Sequence, residues 1–336
     1  MYDAFLLLSF GGPEGPDDVM PFLRNVTRGR GVPDERLAEV AEHYRHFGGV
    51  SPINQQCRDL LGALRAEFAA HGVDLPLYWG NRNWDPYLAD TLRQMRDDGV
   101  RRAIAFATSP FGSYSSCRQY LEDIVRARAE VPDGPVVDKL RHFHDHPGYV
   151  EPHADALRAA LGTLPAGVPT RVVFTAHSVP TAMARTAGPT GNRYVDQLTE
   201  LAGLVRRTAG VELPYDLVWQ SRSGPPQVPW LEPDINDHLA ELAKNGVGAV
   251  AVSPIGFVSD HIEVLWDLDN EAAQTARDLD LAYARAATPG TDPRFVSMVR
   301  ELVTERLDPD APRRKLGELP VWDACEEGCC ALPSRR

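Results

Sequence analysis

The chain has no surplus of positive charge. Its 35 Lys and Arg stand against 47 Asp and Glu, giving a formal net charge of −12. A nucleic-acid binder needs a basic face to neutralise phosphates, so nucleic acid is excluded as a main partner. The same imbalance removes any general attraction to anionic lipid. No stretch reaches the roughly 18 apolar residues that a membrane-spanning helix requires, so no transmembrane anchor is expected. The N-terminus, Met1–Gly12, carries no basic residue ahead of its short apolar run. It reads as a first strand and not as a secretory leader. These absences together predict a cytoplasmic protein.

Other absences narrow the chemistry. There is no G-x-x-x-x-G-K-[ST], which excludes a standard phosphate loop. The G-x-G at Gly29–Gly31 lacks a third glycine and does not follow a strand. No G-x-S-x-G is present, which weakens a serine-hydrolase reading of His177-Ser178. Cysteine is scarce, with five in 336 residues, and a reducing cytosol argues against a disulfide framework. Three of the five nevertheless crowd the tail, as Cys325, Cys329 and Cys330. That grouping suits metal or cluster ligands, although it matches no standard zinc spacing.

The chain is long enough for two domains with their own cores. Its 43% hydrophobic and 24% charged residues are ordinary for a globular protein. Apolar, β-branched runs predict strands at Ala4–Ser9, Leu75–Trp79, Ala103–Ala107 and Val136–Leu140, then at Arg171–Thr175, Tyr215–Gln220, Ala249–Ser253 and Leu281–Ala286. Amphipathic segments at Ile53–Phe68, Pro86–Arg96, Ser116–Arg128, Tyr149–Leu161 and Val195–Arg207 predict helices between them. Alternation of this kind implies parallel sheets covered on both faces. The expected architecture is an N-terminal α/β domain over 1–145 and a C-terminal α/β domain over 146–290. A helix within 291–307 would dock back on the first domain, and 308–336 would be a linker and cysteine tail.

The densest chemistry lies in Pro254–Glu271. Glu263, Asp267 and Glu271 stand four residues apart, which puts three carboxylates on one helical face. Like charges at that spacing repel by about 0.2–0.5 kcal/mol per pair. The missing partner is a cation, and hard oxygen ligands suit a hydrated divalent metal. The segment follows a predicted buried strand, where open α/β sheets place their ligands. His261 and Glu263 point to nearly opposite sides of an α-helix. They share a site only if the helix begins late or carries a widened π-type turn. His177 closes a second buried strand, and its imidazole is a candidate general base. The irregular loop Trp219–Pro233 also follows a strand. Near the N-terminus, Arg28, Arg30 and Arg45 supply forks suited to carboxylate ligands.

Taken together, Thr175-Ala-His-Ser-Val-Pro180, Trp219-Gln-Ser-Arg-Ser-Gly-Pro-Pro-Gln-Val-Pro-Trp230 and Ser259-Asp-His-Ile-Glu263 resemble the ferrochelatase family. The resemblance runs from about residue 3 to residue 306 and includes Ser9–Pro13, Gly48–Pro52 and Gly80–Pro86. It implies two Rossmann-like domains, each a four-stranded parallel sheet flanked by helices, with a cleft between them. It implies insertion of Fe²⁺ into a porphyrin, with release of two protons. His177 matches the family's catalytic histidine, Glu263 its partner acid, and His261 belongs to the same motif. Asp267 and Glu271 match the acidic line on the family's π-helix, so that His177, Glu263, Asp267 and Glu271 are the expected metal contacts. The soluble form resembles the coproporphyrin III-using branch, and neighbouring haem-pathway enzymes are the expected partners. The four propionates of that porphyrin would then meet Arg28, Arg30, Arg45 and Ser51, with Phe10 and Tyr114 also lining the site. Some members of that branch place an axial tyrosine before the first glycine. This chain has Phe10 there, so that ligation does not carry over. Some ferrochelatases hold a [2Fe–2S] cluster on one body cysteine and three tail cysteines. Cys117, Cys325, Cys329 and Cys330 fit that set, which leaves Cys57 as the spare thiol.

Overall fold

The apolar runs become strands, and two of the central ones, Ala4–Ser9 and Ala249–Ser253, are buried along their length. Continuous burial is what a parallel sheet with helices on both faces demands. In the computed structural model, which describes residues 1–29, 31–224, 227–326 and 328–332, eight strands form two four-stranded sheets. They are β1 (Ala4–Ser9), β2 (Leu77–Asn81), β3 (Arg102–Ala107) and β4 (Val136–Lys139), then β5 (Thr170–His177), β6 (Tyr215–Gln220), β7 (Ala249–Ser253) and β8 (Ala282–Arg285). All pairings are parallel, and the orders β2-β1-β3-β4 and β6-β5-β7-β8 describe one topology used twice. The expected fold class is therefore what the chain adopts. In each sheet the order reverses direction beside the central pair, β1/β3 and β5/β7. The carboxyl ends of those strands are where such sheets bind ligands.

The first half carries α1 (Val19–Val26), α2 (Asp34–His46), α3 (Ile53–Ala70), α4 (Leu88–Asp97) and α5 (Gln119–Glu130). The second carries α6 (Pro147–Gly162), α7 (Thr181–Arg185), α8 (Arg193–Thr208), α9 (Ile235–Lys244), α10 (Ile262–Val264), α11 (Ala273–Asp278) and α12 (Pro293–Leu307). Helix α12 packs on both α6 and α3. Its Phe295 meets Phe106 and Phe143 edge-on and Tyr149 at a tilt, so one aromatic cluster joins the halves. Tyr149 donates its buried hydroxyl to the Ile255 carbonyl at 2.9 Å, behind the loop that follows β7. Among the described residues, no helix is long and apolar enough to cross a membrane.

Some local expectations shift. Strand β2 starts two residues later than expected, because Pro76 has no N–H to give a ladder, and only its carbonyl is used, by Phe5 N–H at 2.9 Å. The expected helix at Ser116 instead opens as a π-turn over Tyr114–Arg118 before α5 begins. Helices α1, α2, α7 and α9 were not expected from the pattern.

Candidate active site

Strand β5 is apolar and buried through Ala176, then ends on His177, whose side chain is one-third exposed. His177 Nδ1 lies against the Ser178 carbonyl. A carbonyl only accepts, so the network assigns the ring proton to Nδ1 and leaves the Nε2 lone pair free in the neutral ring. Nε2 faces Glu263 Oε2 at 3.6 Å. Tyr194 of α8 donates to the His177 carbonyl at 2.9 Å, which fixes the strand end from behind.

The loop after β7 approaches β5 closely. A Cβ on Gly256 would meet Ala176 Cβ at 2.6 Å, so this crossing needs glycine. His261 then caps α10 in an extended conformation and accepts the Glu263 N–H on Nδ1 at 3.2 Å. Burial pushes its pKa down, and the Glu263 carboxylate acts in the opposite sense. The helix therefore starts one residue after His261, and a π-helix occupies Leu265–Ala272. A late start and a widened turn are both present, and His261 touches the Glu263 backbone as a cap, not as a helical neighbour.

The acids of this segment fall into two groups. Asp260 and Asp269 share Arg285, with contacts of 3.1 and 2.9 Å to its Nη2. Among the described residues, no Arg or Lys forms a salt bridge with Glu263, Asp267 or Glu271. Asp267 accepts hydrogen bonds from Ser221 Oγ and from Gln220 Nε2, the latter at 3.2 Å, both at the end of β6. Burial pushes Asp267 up to about 7, and Glu263 and Glu271 push in the same direction.

Across from this wall, Trp266 of the π-helix stacks on His43 of α2 at 4.0 Å and 9°, and His46 meets it edge-on. Helix α2 of the first half thus touches the π-helix of the second. Burial lowers the pKa of His43, against the pull of Glu271. Phe10 is partly exposed at the end of β1, with the Arg82 guanidinium 5.6 Å over its ring. Ser51 is buried, and a Cβ on Gly12 would press on its hydroxyl. Tyr114 donates to Glu122 at 3.1 Å. Arg28 is exposed, and Arg45 is exposed and paired with Glu42 on its own helix. Arg30 lies outside the described residues. A cavity of about 110 Å³ lies between the two sets of strand ends, lined by Ser9, Cys57 and Thr108 on one side and Val258, Ser259 and Thr291 on the other. Gln220 and Ser221 belong to the loop singled out from sequence, whereas Trp266, His43 and Tyr194 do not stand out there. Their partners lie far along the chain, and no local spacing marks them.

Cys117, buried in the π-turn after β3, has the tail cysteine Cys325 as a neighbour. Their interaction raises the Cys117 thiol and lowers Cys325. Cys325 also reaches Cys329, whose Sγ lies 3.7 Å from Cys330 Sγ. Cys330 accepts the Gly188 N–H at 3.0 Å. A continuous set of soft thiol donors is the chemistry an iron–sulfur cluster takes. Cys57 sits apart, buried in α3, and burial pushes its thiol up to about 11.

Two sheets of one topology, with an imidazole and carboxylates free of Arg and Lys ion pairs among the described residues at the switch-point ends of the second, define a chelatase-type α/β enzyme. The fold is similar to that of SirB from Bacillus subtilis with Fe³⁺, at a TM-score of 0.57 and 13% identity, covering 93% of this chain and 100% of that one. The Ferrochelatase family profile matches residues 2–307, and the chain belongs to the ferrochelatase family. It is 58% identical to the coproporphyrin III ferrochelatase of Nocardia farcinica, over 99% of this chain and 97% of that protein. It is 57% identical to the coproporphyrin III ferrochelatase of Mycolicibacterium smegmatis, over 95% of this chain and 94% of that protein. The protein is thus a metal chelatase.

Proposed function

We propose that this enzyme inserts Fe²⁺ into coproporphyrin III, giving coprohaem and two protons, as a step of haem biosynthesis. The names of its relatives support the substrate. The observation that carries the mechanism is His177 Nε2 facing Glu263 at 3.6 Å, at the head of an acidic line with no fixed counter-cation among the described residues. A pyrrole proton leaves only if a base lies over the ring as the metal enters. His177 takes the two protons in turn on Nε2, passing the first to solvent at its exposed edge before the second leaves, and Glu263 stabilises the imidazolium that forms each time. His261 caps the helix start and so orients Glu263. Asp267 and Glu271 supply hard oxygen donors that hold a hydrated ion loosely enough to release it. The porphyrin lies against Phe10 and Tyr114, with Arg28, Arg30, Arg45 and Ser51 on its propionates. Binding energy from those remote carboxylates supports bending of the macrocycle, which exposes a nitrogen lone pair.

Cys117, Cys325, Cys329 and Cys330 would hold a resident [2Fe–2S] cluster, which ties the tail to the body as a bound metal does. A cytoplasmic location and partnership with neighbouring haem-pathway enzymes belong to the same proposal and rest on it alone.

The test is anaerobic Fe²⁺ insertion followed by absorbance, with coproporphyrin III and protoporphyrin IX side by side. Coproporphyrin is expected to be the better substrate, and His177→Ala to lose at least the 10²-fold typical of a general base. A preference for protoporphyrin would overturn the substrate. A His177→Ala enzyme at wild-type rate would overturn the base.

A further inference from the structure

Helix α8 joins two regions that the mechanism treats separately. Arg193, Gln197 and Glu200 lie four and three residues apart, on one face. All three turn toward the C-terminal tail or its seat. Gln197 Oε1 accepts the Gly112 N–H at 2.7 Å, which fixes the amide so that its NH₂ faces His144 Nδ1 at 3.3 Å. Nδ1 is therefore the acceptor, and Nε2 carries the proton that it donates to Glu200 Oε2 at 3.0 Å. The other Glu200 oxygen accepts the N–H groups of Glu318 and Leu319, at 2.6 and 3.0 Å. Burial raises the Glu200 pKa, but these bonds outweigh it and hold the carboxyl at about 2.

His144, Asp145 and Glu200 bring three ligand-type atoms within 4.8 Å. His144 Nε2 and both Glu200 oxygens are already engaged in hydrogen bonds, which favours a latch over a cation site. The arrangement is a latch on the tail. Leu316 N–H donates to the Asp145 carbonyl at 2.8 Å, and Arg141 donates to the Arg314 carbonyl at 3.0 Å. The Arg193 guanidinium lies 4.5 Å over Trp322. Gly317 is packed so closely that a Cβ there would stand 2.3 Å from Glu200 Oε2.

Tyr194, next to Arg193, turns the other way. Its ring packs on Phe111 and Trp219, and its hydroxyl holds the His177 carbonyl at 2.9 Å. The first turn of α8 is thus bound to the tail on one side and to the backbone of His177 on the other. We infer that Glu200 is the latch that seats the tail, and that the seated tail, through α8 and Tyr194, positions His177 against Glu263. Glu200 and Tyr194 are positioning residues, and their role rests on the reading of His177 as the base.

The test uses the full-length, cluster-loaded enzyme. Trypsin reports on the tail at Arg313, Arg314 and Lys315. Glu200→Ala should speed cleavage at those exposed sites by releasing the tail backbone and lower kcat roughly two- to tenfold, the range one hydrogen bond supports, with KM for coproporphyrin unchanged. Tyr194→Phe should lower kcat by a similar factor while the tail stays protected. The double variant should be no slower than the slower single variant, because both changes break one linkage. Gly317→Ala attacks the latch from the tail side and leaves α8 untouched. It should reproduce Glu200→Ala, and it serves if that variant does not fold. A tail that stays protected in both latch variants overturns the latch. A freed tail with wild-type kcat, or losses that multiply in the double variant, overturns the link to His177. Activity surviving in His177→Ala would instead sink the assignment of the base, and that outcome is read in a separate protein.

Discussion

Replacing Asp267 by Asn should make the protein more stable and less active, and the stability gain should depend on pH in a defined direction. Burial and two neighbouring carboxylates move Asp267 from 3.8 to about 7 in the folded chain. At 1.36 kcal/mol for each tenfold change in proton affinity, that displacement corresponds to about 4 kcal/mol. The sign follows from proton counts. Below 3.8 both folded and unfolded chains hold the proton, and Asp267 has no effect on stability. Between 3.8 and 7 only the folded chain holds it, so stability falls as pH rises. Above 7 the full penalty is present. The amide introduced by Asp267→Asn carries no charge and escapes this penalty, while its carbonyl still accepts from Ser221 and Gln220.

Urea unfolding of both proteins at steps between pH 4 and pH 8 measures the effect. The two curves should coincide near pH 4, and the variant should gain by a few kcal/mol by pH 8, with about 4 as the upper bound. Adding Mg²⁺ or Mn²⁺ at pH 8 should recover part of the difference in the wild type only, since a ligand that binds the folded state stabilises it. Iron insertion by the variant should slow while porphyrin binding holds. A stability difference that is flat across this pH range would refute the reasoning, because the carboxyl would then not be desolvated in the folded chain.

Three further outcomes are expected. Protein purified without oxygen should be red-brown with about two irons and two sulfides per chain; Cys117→Ser should bleach it, whereas Cys57→Ser should not, and a zinc content with no colour would contradict the cluster. Tyr149→Phe should cost about 1–3 kcal/mol in thermal or urea unfolding, because it strands the buried Ile255 carbonyl that the hydroxyl now satisfies. Arg45→Ala and Ser51→Ala should raise KM for coproporphyrin more than for a porphyrin with two propionates, and equal effects on both would remove these residues from the propionate contacts.

Much of the scaffold is legible in local pattern. A strand buried on both faces needs an unbroken apolar run, and each of the eight runs became a strand. The ends are less legible, since Pro76 and the last ladder bonds set them. The α1–α2 pair has its own periodic residues, Val19, Phe22, Leu23, Leu37 and Ala41. The internal Pro21 and the charge-rich face of α2 hide them. The π-helix was legible only through a conflict, because His261 and Glu263 cannot share a side of an α-helix. The stack of Trp266 on His43 and the bond from Glu200 to the tail join residues more than a hundred positions apart. Such pairs follow from how the halves pack, and no spacing rule reaches them.

The duplicated topology also places thiols and carboxylates at equivalent bends. In the first half, the chain leaving β3 opens as a π-turn that presents Cys117. In the second, the chain leaving β7 runs into a π-helix that presents Asp267 and Glu271. The equivalent strand ends therefore carry donors of opposite softness. Thiolates bind iron tightly, which suits a resident cluster and would trap a substrate ion. Carboxylates bind a hydrated divalent ion loosely, which suits one that must be passed on. The imidazole of His177, intermediate between them, stands at the end of β5 beside the second donor set and away from the first. An enzyme that held the proposed cluster and handed iron to a porphyrin would have to keep these donor sets apart. Here the separation follows from using one strand order twice, with different side chains at the same bend.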